Sequence, residues 1–191
     1  MNRELKNLIK SDFYRHYADC KPQKFWKKRN VALYCTMIYR KAHFYSNAKG
    51  FFNNILALYY RYILNKLSRK YLFQIPFPTT IGKGFNLVHF GRVIVAPGVR
   101  IGCNCNMFTG VTIGSTTRGH KKGVPVIGDD VWIGPNVVVV GGVKIGDNVL
   151  IAANSFVNFD VPSNSIVIGN PGKIISSEHA TEGYICQKYA E

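Results

Sequence analysis

Two histidines stand where a repeating pattern in this 191-residue sequence is interrupted, and imidazole is the side chain whose ordinary pKa lies nearest neutral. His89 lies in NLVHFGRVIV, and His120 lies in RGHKKGVP with Arg118 before it and Lys121 and Lys122 after it. A hydroxyl is a poor nucleophile at neutral pH, so chemistry on one calls for a positioned base of this kind. Each histidine also has a plain reading, His89 as packed structure and His120 as an ordinary exposed residue. Cys103 and Cys105 stand two apart with no further ligand types close by, so they read as core or surface thiols rather than as a metal site.

The pattern that positions the histidines has a period of six. Ile127-Gly128, Ile133-Gly134, Val139-Val140, Ile145-Gly146 and Ile151-Ala152 each open a hexad, with Val131, Val137, Val143, Val149 and Ser155 at the fifth positions. Neither a helix nor an alternating strand has this period; a parallel β-helix does, with the opening aliphatic pointing inward and stacking coil on coil. The following Gly or Ala is expected to make room for a tight corner. The beat also runs upstream through Ile81, Val95, Ile101, Met107 and Ile113. It slips by two residues between Leu87 and Val95, at His89, and again between Ile113 and Ile127, where STTRGHKKGVP reads as a loop carrying His120.

A prism of coils exposes sheet edges at its two ends and needs caps. The expected caps are the N-terminal region and the tail after Val161. Residues 1–70 hold 16 Lys+Arg against 3 Asp+Glu, whereas residues 71–191 hold 9 against 7, so nearly all of the +15 net charge sits at the N-terminus. That region reads as three helices, Leu5 to Tyr17, roughly Phe25 to Tyr45, and Phe51 to Tyr71, with Gly50 as a stop. The third is interrupted by Asn53, Asn54, Arg61 and Asn65, too polar for a membrane span. Solvated cap helices, contact with a membrane surface or polyanion, and a partner subunit all fit such charge; no nucleic-acid motif accompanies it. The start has no apolar signal-peptide core, and five cysteines without a scaffold spacing point to the cytoplasm. The expected divisions are 1–73 helical, 74–175 β-helix and 176–191 tail.

The string IGKGFNLVHFGRVIVAPGVRIG, followed by FTGVTIG, resembles the hexapeptide-repeat acyltransferases, and within them the serine acetyltransferases, as does YRKAHF at Tyr39 to Phe44. The compact helical region is closer in style to the colanic-acid and capsular polysaccharide O-acetyltransferases. The resemblance implies a mainly β, left-handed parallel β-helix with an α-helical N-terminal cap, assembled as a homotrimer and, through the caps, a dimer of trimers. It implies transfer of acetyl from acetyl-CoA to a hydroxyl, with His89 and His120 as the catalytic pair and no metal. It places the CoA arm against Gly114, Gly134, Ala152 and Ala153, with Gly169, Asn170, Pro171 and Lys173 at the terminal segment, where a lysine suits a phosphate as a point charge. Asp12 falls to the acceptor, and Arg118 and Lys121, with Lys122, to an acidic acceptor or to the phosphates of CoA.

This chain departs from the serine acetyltransferases at two carboxylates. Val88 stands where they carry an aspartate before the histidine, and Gln74 stands where they carry one before the first coil. A serine ammonium then lacks its partner. The expected acceptor is therefore a sugar hydroxyl in surface polysaccharide assembly at the inner face of a membrane, with serine as the alternative acceptor. A noncatalytic scaffold that binds an anionic partner is a third reading.

Overall fold

The computed structural model describes residues 2–17, 30–89 and 91–190. Three helices precede the sheets: α1 (Arg3–Tyr17), α2 (Val31–Asn47) and α3 (Phe51–Tyr71). The second starts later than expected because Asn30 caps it, its side-chain oxygen accepting from the Leu33 N–H at 2.9 Å; residues 25–29 lie outside those described. Gly50 (φ +117°) separates α2 from α3, and Leu72 in the left-handed region ends α3 and turns the chain into the first strand. No helix among the described residues is long and apolar enough to cross a membrane.

From Phe73 onward the chain winds a left-handed parallel β-helix of about 5 turns. One face is the five-stranded sheet of β1 (Phe73–Gln74), β4 (Val93–Val95), β7 (Thr112–Gly114), β10 (Val138–Val140) and β13 (Phe156–Val157). A second is the four-stranded sheet of β2 (Thr80–Ile81), β5 (Arg100–Ile101), β8 (Val126–Ile127) and β11 (Lys144–Ile145). The third stacks β3 (Asn86–Leu87), β6 (Asn106–Met107), β9 (Trp132–Ile133), β12 (Val149–Ile151), β14 (Ser165–Ile168) and β15 (Lys173–Ser176). Each hexad opener meets its equivalent in the next coil: Ile81 pairs with Ile101, Ile101 with Ile127, and Ile127 with Ile145. These openers and the fifth-position valines are buried together in one core, each fully buried aliphatic contributing about 1.5–3 kcal/mol.

The coil lengths explain the breaks in rhythm. One coil takes 18 residues from Ile127 to Ile145, but 20 from Ile81 to Ile101 and 26 from Ile101 to Ile127. Two surplus residues fall between Leu87 and Val93, the segment that holds His89, and eight form the excursion that carries His120.

The glycine after the opener makes room at the corner: a Cβ on Gly82, Gly102 or Gly128 would come within 2.8 Å of backbone in the next coil. Left-handed backbone falls two residues later, at Gly84, Asn104, Asp130, Asn148 and Asn164. The tail after Val161 is not merely a cap. Val161 bridges to Ile145 and Val167 pairs with Ile151, so the prism runs on to β14, which β15 covers antiparallel.

Candidate active site

Coil geometry sorts the candidate residues onto edges of the prism. The chain turns from the six-stranded to the five-stranded face at His89, and this edge repeats one coil later at Thr109 and then at Pro135, Ala153 and Gly169. Gly134 and Ala152 precede Pro135 and Ala153 on successive coils, the Gly134 N–H donating to Ile151 O at 2.9 Å. With coils about 4.8 Å apart, Ala153 lies about 14 Å along the edge from His89. Small side chains thus line one edge below an exposed imidazole. Lys173 pairs with Ile168 in the β14–β15 hairpin, on a regular strand and at the far end of the same edge; Asn170 and Pro171 form the hairpin turn.

His89 is held against aromatic rings that sequence reasoning missed. Its imidazole meets the Phe108 ring edge-on at 6.0 Å, Phe108 meets Trp132 at 4.9 Å, and Trp132 meets Tyr184 at 5.1 Å. The coil spacing carried a signal for Phe108, which follows Met107, the partner of Leu87, just as Val88 precedes His89. Nothing in the pattern pointed to Tyr184, which the C-terminal tail brings back, its carbonyl accepting from Asn106 Nδ2 at 3.2 Å.

His120 is not on that edge. Its loop leaves after Gly114 and returns to β8, at the turn from the five-stranded to the four-stranded face. The base of the loop is closed by reciprocal backbone bonds between Thr116 and Gly123 at 3.0 and 2.9 Å, and the Gly142 N–H donates to Lys121 O at 2.7 Å. Lys121 is tied down as well, its Nζ lying 2.5 Å from the Asp160 carboxylate. That hydrogen bond and one from the Lys144 N–H hold Asp160 below the usual carboxylate range. Arg118 and His120 remain exposed at the tip. Within one chain the structure therefore gathers His89, Gly134, Ala152, Ala153, Gly169 and Lys173 on one edge and puts Gly114 and His120 on another.

Asp12 belongs to neither group. It is 2% exposed, Arg40 grips both of its oxygens at 2.8 and 2.9 Å, and the Phe85 N–H donates to it at 2.9 Å. These bonds join α1 and α2 to the first coil. Beside it Arg15 donates to the carbonyls of Gly84 and Gln187. Gln74 faces outward into a cavity of about 560 Å³ between α3 and the first coil, beside Arg61, Asn65, Ser68 and Arg69; no carboxylate is among its lining residues.

Residues 125–158 match the family model described as bacterial transferase hexapeptide (six repeats). Among curated proteins, the serine acetyltransferase of Staphylococcus aureus is 40% identical over 103 residues, covering 54% of this chain and 48% of that enzyme. Serine acetyltransferase 4 of Arabidopsis thaliana is 41% identical over 95 residues, half of this chain and 27% of that enzyme. The chain thus spans less than half the length of these two relatives. A Saccharomyces cerevisiae protein named as an acetyltransferase, YJL218W, is 28% identical over 187 residues, covering 90% of this chain and 91% of its own. Among solved structures, the serine acetyltransferase of Neisseria gonorrhoeae in complex with serine superposes with a TM-score of 0.73 at 25% identity, over 92% of this chain and 70% of that one.

Proposed function

We propose that this member of the hexapeptide-repeat acyltransferase family is an acetyl-CoA-dependent O-acetyltransferase whose site is completed between two copies of the chain. The observation that carries the reading is the placement of the two histidines on different edges, only one of which has the column of small residues. In a threefold assembly the exposed imidazole edge of one prism can face the His120 loop of its neighbour, and the groove between them is open to a thin pantetheine arm along Gly134, Ala152 and Ala153. Lys173 stands where it meets a phosphate as a point charge. Pairing of two trimers through their helical ends, and a cytoplasmic location, belong to the same proposal.

The donor supplies an activated acetyl thioester. His89 takes the proton of the acceptor hydroxyl as the new C–O bond forms, and returns it to the sulfur as the C–S bond breaks, so that the imidazole ends neutral. Phe108, packed against its ring, restricts the rotation that would turn the basic nitrogen away. His120 and Arg118, on a loop pinned through Lys121, act from the neighbouring subunit to orient the acceptor.

For the acceptor, the relatives support L-serine better than the sugar expected from the sequence: both serine acetyltransferases match at about 40% identity. A second reading, a glycan hydroxyl, rests on Val88 and on a Gln74 cavity lined by Arg61 and Arg69 without a carboxylate. The yeast relative that matches over nearly its whole length bears no acceptor in its name. Thiol release from acetyl-CoA should be measured with L-serine and with a panel of nucleotide sugars and acidic oligosaccharides. A kcat/KM for L-serine of about 10⁴ M⁻¹s⁻¹ or above selects serine; a far lower value, with one glycan in that range, selects the second reading. His89→Ala should lower kcat by about 10² to 10⁴ with either acceptor, and a folded variant with wild-type turnover would refute the mechanism.

A further inference from the structure

The outward side of α3 carries large apolar side chains that the fold leaves mostly exposed. Phe51, Phe52, Ile55, Leu58, Tyr59 and Tyr62 are between 49% and 79% exposed. Their spacing of three and four residues puts them on one stripe along the first three turns. The same stripe continues into Lys66, Arg69 and Lys70, and Ala57, Leu64 and Leu67 occupy the buried side. A soluble monomer rarely shows so continuous an apolar stripe, and one of this kind marks a surface that something covers.

The chemistry of the face selects what covers it. α3 has no acidic residue, and three of its four cations are gathered at the C-terminal end, where Tyr62, Asn65, Lys66, Arg69 and Lys70 line a concavity of about 430 Å³. Three cations around one hollow next to a run of aromatic and aliphatic side chains fit phosphate groups lying beside acyl chains. Phenylalanine and tyrosine with lysine and arginine are the side chains that favour the plane between lipid headgroups and hydrocarbon. A helix whose apolar face is half its length is suited to lie in that plane and not to cross it. The rest of the N-terminal region adds to the attraction, since residues 1–50 carry a net charge of +9. A second copy of this face would place its Lys66, Arg69 and Lys70 against like charges in a parallel pairing, which costs rather than stabilises.

We propose that the outer face of α3 docks on an anionic membrane surface, with Phe51 to Tyr62 entering the headgroup boundary and Lys66, Arg69 and Lys70 holding lipid phosphates. The proposal stands independently of the acetyl-transfer reading.

The test is sedimentation of the full chain with phosphatidylcholine vesicles, with and without phosphatidylglycerol. Binding is expected only when the anionic lipid is present, and it should weaken as salt is raised. Replacing Lys66, Arg69 and Lys70 by alanine should weaken it about fivefold per cation, about a hundredfold for all three. Phe52→Ser with Leu58→Ser should weaken it at every salt concentration, and neither set should lower the melting temperature, because the side chains are exposed. Failure of the wild-type chain to sediment with anionic vesicles at low salt overturns the proposal, as does cation-variant binding equal to wild type. So does a serine variant that changes the mass seen by light scattering while vesicle binding is unaltered, since a second copy of the chain would then be the occupant.

Discussion

Asp12 shows how a carboxylate can be recruited by structure instead of chemistry. It and Arg40 are each about 2% exposed on their side chains, and the guanidinium also donates to the carbonyls of Ile81 and Gly82. Removing one member of a buried ion pair leaves the other charged and unmatched. Asp12→Asn should therefore destabilise the fold by about 3–5 kcal/mol, read as a lower denaturation midpoint. An unaltered midpoint with a raised acceptor KM would instead restore Asp12 to the acceptor site. His16 is a second residue whose burial has a measurable consequence. Desolvation, helped by the neighbouring Arg15 charge, lowers its pKa from 6.5 to about 4. Below about pH 6.5 the unfolded chain binds a proton that native His16 refuses, so its contribution is full above that pH and is lost as pH falls through about 4. Stability measured against pH should fall across this window, and His16→Gln should flatten the slope.

At the scale of elements, the β14–β15 hairpin and the 115–125 loop are two features that a regular prism would not need. The hairpin returns Lys173 beside Ile168, one position from Gly169 on the small-residue edge. Lys173→Ala should weaken binding of acetyl-CoA about tenfold, as expected for loss of one charge-assisted contact, and less for a dephospho-CoA thioester if the contact is to the 3′-phosphate. Titration with the two donors checks this, and equal losses would place the lysine elsewhere. The loop is held at its root by Thr116 and Gly123 and at its side by Lys121 and Asp160, while His120 at the tip is exposed. A tether at the root and freedom at the tip suit a side chain that completes its site on a neighbouring subunit.

For the whole molecule, the proposed site, with His89 and His120 on different edges, would make assembly part of the chemistry. His89→Ala, nearly inactive alone, should recover activity when co-expressed with His120→Ala, whose own loss is smaller in turnover or falls on the acceptor KM. In a random 1:1 mixture about a quarter of the interfaces unite an intact His89 with an intact His120, so about a quarter of wild-type turnover is expected. Light scattering of the same sample should report a trimer or a multiple of one. Activity that does not rise above that of the single variants would put both histidines in one subunit's site or remove one of them from it.

The hexad beat alone made the β-helix legible, because stacking an aliphatic residue on its equivalent every coil leaves a period that no helix or simple strand shares. It also located both interruptions, since a surplus of two or eight residues displaces every later hydrophobic position. The beat could not say what each glycine makes room for. That depends on how closely the next coil's backbone approaches Gly82, Gly102 and Gly128, a distance between residues far apart in sequence. The roles of Asp12, Lys121 and Tyr184 were hidden for the same reason: Arg40, Asp160 and Trp132 become their neighbours only when helices, loop and tail fold onto the prism. Local period determined the scaffold, while the partners of individual polar and aromatic groups were decided by long-range packing, which no repeat encodes.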